Sequence, residues 1–310
     1  TSFWQISPKP VTVPPPPQEW VEYITAEALG ANERKLPPFH GVCKFTKKLL
    51  YDNMRKNFAE KLPDINAITG TRIGPIAIVG GGPSVDGQKD ELKRLYANGV
   101  PVMTIARMYP WCVENGLGPD YVLSLDCSAE QEAGFVNIQP TTTHLIATVT
   151  RPEIVNMIQA SGAPIYVFDS RDDRKIKQLR GEAGYTVCTV INSGGTVVIT
   201  CMSAAMNLGY SDLHVFGFDC MFPNPTRLHA EGIAGKSVPQ HVLTVTIEGQ
   251  DYLTTPSFIE FARQALDLIS VAKQENALES IKFYGESLVT KMWDGTWQEE
   301  LEEAQLVEVA

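Results

Sequence analysis

The chain has 310 residues, of which 44% are apolar and 20% are charged, so it is long enough for one large domain or for a core domain with smaller additions. Its net charge of −10 argues against a broad grip on a phosphate backbone, and therefore against nucleic acid as a partner. No apolar stretch approaches the length of a membrane span, and the N-terminus lacks a signal-peptide pattern. We expect a cytoplasmic protein that does not contact a membrane.

The N-terminal part is expected to lie apart from the main domain. Residues 1–20 include four consecutive prolines, which predict an extended arm and leave a protein partner for that arm open. Residues 21–70 show amphipathic patterns that predict helical segments. One of these, 44–62, carries five lysines and one arginine, and such a distribution is typical of a solvated helix face.

Residues 71–290 alternate between short apolar runs and helical patterns, which predicts an α/β domain with a Rossmann-like, mostly parallel sheet and helices on both faces. After residue 240 the pattern predicts a small addition made of a hairpin and a long helix, and residues 291–310 form an acidic tail. The predicted strands are 76–80, 100–106, 121–126, 144–149, 164–169 and 212–219, and the predicted helices are 88–98, 109–116, 151–161, 173–181, 196–208 and 256–275.

A glycine-rich loop follows the first of these strands and consists of Gly80, Gly81, Gly82, Pro83 and Ser84. Such a turn leaves backbone N–H groups bare, and a helix predicted to begin near residue 86 would point its positive end at the same place, which suits a phosphate group. The loop lacks the Lys-Ser/Thr pair of a Walker A motif and the third glycine of the dinucleotide fingerprint. A purely structural turn is the alternative.

A second turn of this kind contains Ser193, Gly194, Gly195 and Thr196 and precedes the apolar helix 196–208. It could bind an anion at the start of the helix, or it could be a tight packing turn.

Three side chains are candidates for the chemistry. Asp126 and Asp219 follow predicted strands, where a carboxylate can hold Mg²⁺ through water, contact a ribose hydroxyl, act as a general base, or simply brace a loop. His229, in a loop with Arg227, could act as an acid or contact a phosphate, or it could be an ordinary surface residue. The six cysteines have no metal-ligand spacing and are expected to be reduced and buried, and the sequence shows no nucleophile elbow.

Five segments in order resemble the MptE-like group, which includes archaeal 6-hydroxymethylpterin diphosphokinase and the Maf flagellin-modifying proteins and whose fold is related to that of bacterial sialyltransferases. The segments are IAIVGGGPSVD (76–86), GLGPDYVLSLDCS (116–128), SGGTVVITCMSAAMNLGYSDLHVFGFDCMF (193–222), LHAEG (228–232) and VTIEGQDYLTTPSFIEFARQAL (245–266). The resemblance covers about residues 70–290.

The resemblance implies one of two activities. One is transfer of diphosphate from ATP with Mg²⁺ to a pterin-like alcohol, and the other is transfer of a sugar from a CMP-activated donor without a metal. In either case the glycine loop would bind the nucleotide phosphates, and Asp126 would lie by the ribose or the metal. Ser193–Thr196 and Asp219 would line the acceptor side, and His229 would close over the reacting group.

We therefore expect a nucleotide-dependent transferase from bacteria or their phages, with a nucleotide and a small-molecule acceptor as partners. The size of the chain and the aspartates at the strand ends favour the diphosphokinase branch, in which Asp126 and Asp219 hold Mg²⁺. A glycosyltransferase is the first alternative, and a non-catalytic nucleotide-binding or assembly protein is the second. Homo-oligomerisation is left open.

Overall fold

A computed structural model of the protein describes residues 5–8 (backbone only), 46–170, 174–185, 189–191, 194–223, 227–233, 242–247 and 250–293. Most of the Pro-rich arm, the helical segments expected before residue 46, Ser193 and the acidic tail from residue 294 onward therefore lie outside the described residues.

A seven-stranded sheet forms the centre of the molecule, and every pair of neighbouring strands in it is parallel. The strand order is β10-β7-β2-β3-β4-β5-β6, so the chain builds outward from β2 to β6 and then returns to the other side of β2. This confirms the Rossmann-like α/β fold. The strands are β2 (Pro75–Val79), β3 (Val102–Ile105), β4 (Tyr121–Ser124), β5 (Thr143–Ala147), β6 (Ile165–Phe168), β7 (Asp212–Phe216) and β10 (Ser280–Tyr284).

Helices cover both faces of the sheet. In β2, Ile76 and Ile78 pack in the same cluster as residues of α6 (Val197–Leu208) and α7 (Pro256–Gln274). Ala77 and Val79 pack on the opposite face with residues of α2 (Lys89–Ala97). Burial on both faces explains why the strands read as continuous apolar runs. The helices are α1 (Lys47–Ala59), α2 (Lys89–Ala97), α3 (Tyr109–Glu114), α4 (Pro152–Ser161), α5 (Arg174–Glu182), α6 (Val197–Leu208), α7 (Pro256–Gln274) and α8 (Leu288–Trp293).

Helix α6 is the central helix of one layer, as its small apolar residues predict. Ala204 and Ala205 are fully buried, which brings the helix close to the strands beneath it. Gly209 ends the helix in the left-handed region, with φ of 109°.

A second, three-stranded sheet contains the predicted hairpin, formed by β8 (Leu243–Ile247) and β9 (Gln250–Thr254). Strand β1 (Gln5–Pro8) pairs antiparallel with β8. The sequence did not predict this strand, because a short segment beside prolines has no pattern of its own and forms only against an available edge.

Several predicted boundaries differ from the structure. The predicted strands 100–106, 121–126 and 212–219 end earlier, at Ile105, Ser124 and Phe216. Residues Pro83–Gln88 form a 3-10 turn, and α2 begins only at Lys89, so the helix expected near residue 86 starts later. The four cysteines within the described ranges are buried and form no disulfide there, and no helix in those ranges is long and apolar enough to cross a membrane.

A buried ion cluster holds the chain before β2 against the far edge of the sheet. Arg180 of α5, 2% exposed, donates to Asp169 at 2.5 Å and to Asp64 at 3.0 Å. Thr148 donates to Asp169, and Thr189 donates to Asp64 at 2.5 Å. Two carboxylates therefore contact one buried cation, and each also accepts from a threonine hydroxyl, so Arg180 has its counter-ions within the protein. We refer to Asp64, Asp169, Arg180, Thr148 and Thr189 as the buried ion cluster.

Candidate functional site

A cavity of about 270 Å³ lies beyond the carboxyl ends of β2, β3, β4 and β7. The chain reverses its direction across the sheet beside β2, and such a switch point is where ligands bind in open parallel sheets. The loops after these four strands contribute Gly81, Arg107, Asp126 and Asp219 to the lining, and His229 joins them from a later loop. The three predicted catalytic side chains therefore lie around one cavity, beside the glycine loop.

The glycine loop packs against the loop after β7. The N–H groups of Gly80 and Gly82 donate to the carbonyl groups of Phe216 and Gly217, each at 2.8 Å. The N–H of Ser84 donates to Asp219, also at 2.8 Å, and Pro83 has no N–H. A phosphate cradle made of several bare N–H groups is therefore not what this loop presents. Gly81 is the residue of the loop whose N–H has no hydrogen-bond partner among the described residues.

Close contact between these two loops explains three of the glycines. A Cβ at Gly80 would lie 2.5 Å from the carbonyl oxygen of Gly217, and a Cβ at Gly217 would lie 2.5 Å from that of Gly80. A Cβ at Gly82 would lie 2.6 Å from the carboxyl carbon of Asp219. The absence of side chains here serves the packing of protein on protein, which was the alternative explanation for the loop.

Asp219 braces the glycine loop. Its two carboxylate oxygens accept from the N–H and the hydroxyl of Ser84, at 2.8 Å and 2.5 Å. Burial raises the pKa of Asp219 to about 6, against the opposing effect of those two hydrogen bonds. A buried carboxylate whose two oxygens already accept hydrogen bonds from Ser84 is a poor ligand for Mg²⁺.

Asp126 lies on the opposite side of the cavity, in the loop after β4. One carboxylate oxygen accepts from the N–H of Ser128 at 3.0 Å, and the other is 3.4 Å from the side-chain nitrogen of Gln131. The residue is half-buried, so its carboxylate remains close to a ligand in the cavity. Within the described residues, no three His, Cys, Asp or Glu side chains are arranged to hold a metal ion.

His229 and Arg107 form a pair at the cavity. The Arg107 guanidinium is 3.4 Å from Nε2 of His229, and the backbone of Gly81 is a further hydrogen-bond partner of the imidazole. Burial, followed by the positive charge of Arg107, lowers the pKa of His229. The imidazole is therefore neutral at neutral pH and retains a basic nitrogen.

The His229 loop is fastened to the glycine loop by Asp86. Arg227 donates to Asp86 at 2.8 Å, and the N–H of Glu231 donates to the same oxygen at 2.8 Å. The N–H of Ala230 donates to the carbonyl of Gly81 at 3.0 Å. Arg227 is thus engaged away from the cavity, and its role is to hold His229 in place.

In the second predicted turn, packing again accounts for the glycines. A Cβ at Gly195 would lie 2.1 Å from the ring of Phe261, and one at Gly194 would lie 2.8 Å from Ile199. Thr196 does line the cavity, at the first turn of α6, and its side chain makes no capping hydrogen bond. Ser193 lies outside the described residues.

The predicted binding residues divide into two groups. Gly81, Gly82, Asp126 and Thr196 line the cavity together with the predicted catalytic residues Asp126, Asp219 and His229. The other described residues of the two turns do not line the cavity and instead shape the loops; they are Gly80, Pro83, Ser84, Gly194 and Gly195.

Sequence reasoning missed Arg107 and Ser124. Arg107 is the second residue after β3, and Ser124 is the last residue of β4, so both occupy the positions that the strand-end rule favours. The predicted strand 121–126 contained Ser124 within an apolar run, and the predicted strand 100–106 ended just before Arg107, which was not recognised as a strand-end residue. The opposite wall is apolar and aromatic, with Met221, Phe258 and Phe261.

Comparisons with known proteins agree with this architecture. The solved structure of the "MAf glycosyltransferase from Magnetospirillum magneticum AMB-1" superposes with a TM-score of 0.55 at 17% identity, over 83% of this chain. The chain spans 42% of that structure's length, and at this identity the likeness shows the fold alone. No curated protein sequence matches. The family model "6-hydroxymethylpterin diphosphokinase MptE-like" matches residues 48–225, more than half of the chain. The chain belongs to the MptE-like family.

Proposed function

We propose that this protein is a nucleotide-dependent transferase whose nucleotide binds in the cavity beyond β2, β3, β4 and β7. The observation that carries the proposal is the convergence of Asp126, Asp219 and His229 beside Gly81 in one cavity at the switch point of the sheet. The family model and the structural neighbour both take their names from group-transfer enzymes, which supports a transferase in general.

The donor that this site suits best is a nucleotide-activated sugar, such as a CMP-sugar, which needs no metal for its transfer. Asp219 is buried and accepts from Ser84 with both oxygens, whereas Asp126, which accepts from Ser128 and Gln131, is the half-buried carboxylate of the lining. A Mg-ATP site for phosphoryl transfer ordinarily uses more oxygen ligands from the protein than this. Diphosphate transfer from ATP is the second candidate. The observation in its favour is that Asp126 accepts only from the N–H of Ser128 and the side-chain amide of Gln131, which would leave its carboxylate able to bind Mg²⁺.

His229 is the residue that we assign to proton transfer. The acceptor hydroxyl oxygen would attack the anomeric carbon of the sugar, the bond from that carbon to the phosphate oxygen would break, and the nucleotide would leave with the electron pair. The hydroxyl proton would pass to the basic nitrogen of His229, which the lowered pKa keeps unprotonated at neutral pH.

The test is a thermal-shift panel with CMP, CMP-sugar, CTP, ATP and GTP, each with and without Mg²⁺. A ligand that binds only the folded state stabilises it by about 2.7 kcal/mol at 100 times its Kd. We expect CMP and CMP-sugar to raise the melting temperature without metal. A shift with ATP that depends on Mg²⁺ would favour the diphosphokinase instead, and the absence of any shift would contradict nucleotide binding.

Turnover is tested with His229→Asn. The variant is expected to keep its thermal shift with the nucleotide and to lose at least about 100-fold in the rate of sugar release from the donor. If wild type and variant bind the nucleotide and neither turns over any donor of the panel, the protein is a nucleotide-binding protein without catalysis.

A further inference from the structure

Arg107 stands at a fixed position in the cavity. It lies in the 3-10 turn Ala106–Met108 between two buried residues, and α3 follows immediately. Gly134 packs against this turn so closely that a Cβ there would lie 2.3 Å from the carbonyl oxygen of Ala106. The backbone that carries Arg107 is therefore held from both sides, and its guanidinium is presented to the cavity from a rigid support.

No carboxylate among the described residues forms an ion pair with Arg107. Other arginines that are buried or half-buried are matched: Arg180 pairs with two aspartates, Arg151 with Glu132 and Arg263 with Glu260. The hydrogen-bond partner of Arg107 is the imidazole of His229, which is uncharged at neutral pH because its pKa is lowered. The cavity thus contains a cation without a counter-ion from the described part of the chain.

Two further polar groups of the lining lack partners. The hydroxyl of Ser124 is buried, the residue being 1% exposed, and it has no hydrogen-bond partner among the described residues. The hydroxyl of Thr196 makes no capping bond at the start of α6, a helix of 12 residues whose first turn carries partial positive charge. Buried polar groups are normally satisfied, so Ser124 is a polar residue of the lining whose hydroxyl the described residues leave without a partner.

The backbone N–H groups of the glycine loop cannot neutralise an anionic ligand in the cavity. The N–H groups of Gly80, Gly82 and Ser84 already donate within the protein, which leaves that of Gly81. An anionic group in the cavity must therefore be neutralised mainly by a side chain, and Arg107 is the cation of the lining. Met221, Phe258 and Phe261 form the apolar wall, against which a planar group such as a base can pack.

We propose that Arg107 binds the phosphate of the nucleotide, an inference that rests on the proposed function above. The guanidinium is charged at all accessible pH values and offers several N–H donors in one plane, which matches phosphate oxygens in pairs. Arg107 is thus the affinity-determining residue of the site, and the glycine loop supplies the wall against which the phosphate lies.

The experiment is isothermal titration of wild type, Arg107→Gln and Arg107→Lys with CMP, cytidine, ATP, adenosine and inorganic pyrophosphate. Arg94→Gln is the matched control, because it removes the same charge from an exposed arginine that pairs with Glu91 on α2. Melting temperatures without ligand establish that each variant is folded.

We expect the nucleotide that binds wild type to bind Arg107→Gln about 10 to 100-fold more weakly, while the lysine variant keeps part of the affinity and Arg94→Gln keeps all of it. Binding of the matching nucleoside, which has no phosphate, is expected to be the same in wild type and Arg107→Gln. Equal affinity of wild type and Arg107→Gln for the nucleotide would overturn the role of Arg107 and leave the proposed function standing.

The proposed function can be wrong even if Arg107 binds phosphate groups. If wild type binds pyrophosphate in a manner that depends on Arg107 and binds no nucleotide, the phosphate site stands and the nucleotide-dependent function is wrong. If wild type binds neither nucleotides nor pyrophosphate, both are wrong.

Discussion

The buried ion cluster and the cavity both contain polar side chains that follow strands of the same sheet, yet they differ in whether their arginine has a counter-ion. In the cluster, Arg180 lies between Asp64 and Asp169, and threonine hydroxyls complete the carboxylates. In the cavity, Arg107 meets a neutral imidazole, and Asp219 is fastened to Ser84. The contrast teaches that a strand-end position does not by itself distinguish a structural polar group from a binding one. What distinguishes them is whether the protein supplies the counter-charge.

The largest effect on stability is expected from Arg180→Met. The change leaves the buried carboxylates of Asp64 and Asp169 without their cation, which should lower the free energy of unfolding by about 3–5 kcal/mol. Urea denaturation measures it, with Arg94→Met as a control that removes an exposed arginine and should change little. Nucleotide affinity of the folded fraction should not change. A loss no larger than that of the control would mean that the cluster does not stabilise the fold.

The second prediction concerns His144, which is fully buried between Tyr109 and Phe135 and has no hydrogen-bond partner among the described residues. Burial lowers the pKa of His144 to about 4, whereas the unfolded chain binds this proton below about pH 6.5. The resulting stability, about 3 kcal/mol, is present above pH 6.5 and is lost as the pH falls through 4. In His144→Leu, the fall in stability between pH 7 and pH 4 should be smaller by this amount in urea denaturation series. An unchanged pH dependence would show that His144 is hydrated in the native state.

Asp219→Asn tests the cavity side of the comparison. The folded protein binds a proton at Asp219 below about pH 6, and the unfolded chain does so only below about 3.9, so the free energy of unfolding falls as the pH rises between these values. Above pH 6, the ionised carboxylate therefore lowers the free energy of unfolding of wild type by up to about 3 kcal/mol. The asparagine variant avoids this loss, and its gain is reduced by whatever its amide loses in hydrogen bonds with Ser84. The asparagine variant should lack this slope, so the difference between its free energy of unfolding and that of wild type should be more favourable to the variant at pH 8 than at pH 5. A retained slope would contradict the raised pKa.

The smallest effect on stability is expected from Arg107→Gln. Because the described residues offer Arg107 no ion pair, its loss should change the free energy of unfolding by less than about 0.5 kcal/mol, although it should remove most of the nucleotide affinity. Arg180→Met should lower the free energy of unfolding and leave the nucleotide affinity unchanged. A loss of stability of 2 kcal/mol or more in Arg107→Gln, measured in urea, would place Arg107 with the structural residues.

The fold could be predicted from the sequence because its elements depend on local patterns. Consecutive apolar residues in 76–80 and 121–126 are sufficient to indicate strands buried on both faces, and the small-residue pattern of α6 indicates a helix packed tightly on them. Strand β1 could not be predicted, because its pairing depends on β8, more than 230 residues away in the sequence.

The site could be predicted only in part. The placement of Asp126, Asp219 and His229 around one cavity could be predicted, because the carboxyl ends of strands and their loops are known places for ligands. The commitment of the glycine-loop N–H groups to Phe216 and Gly217 was not accessible, because it depends on the contact of two loops distant in sequence. Arg107 was missed for a related reason, since only the surrounding structure shows that the described residues give it no counter-ion.

The reciprocal contact of Gly80 and Gly217 has a consequence for how this protein can change. Each glycine leaves room for the carbonyl oxygen of the other, so a side chain at Gly80 or at Gly217 cannot be accommodated without displacing the facing loop. Gly217 lines the cavity, so this part of its wall is fixed against gradual mutation. Gly81 differs, because a Cβ there would make only ordinary contacts at 3.8 Å, and the wall can therefore change at that position without moving the two loops apart.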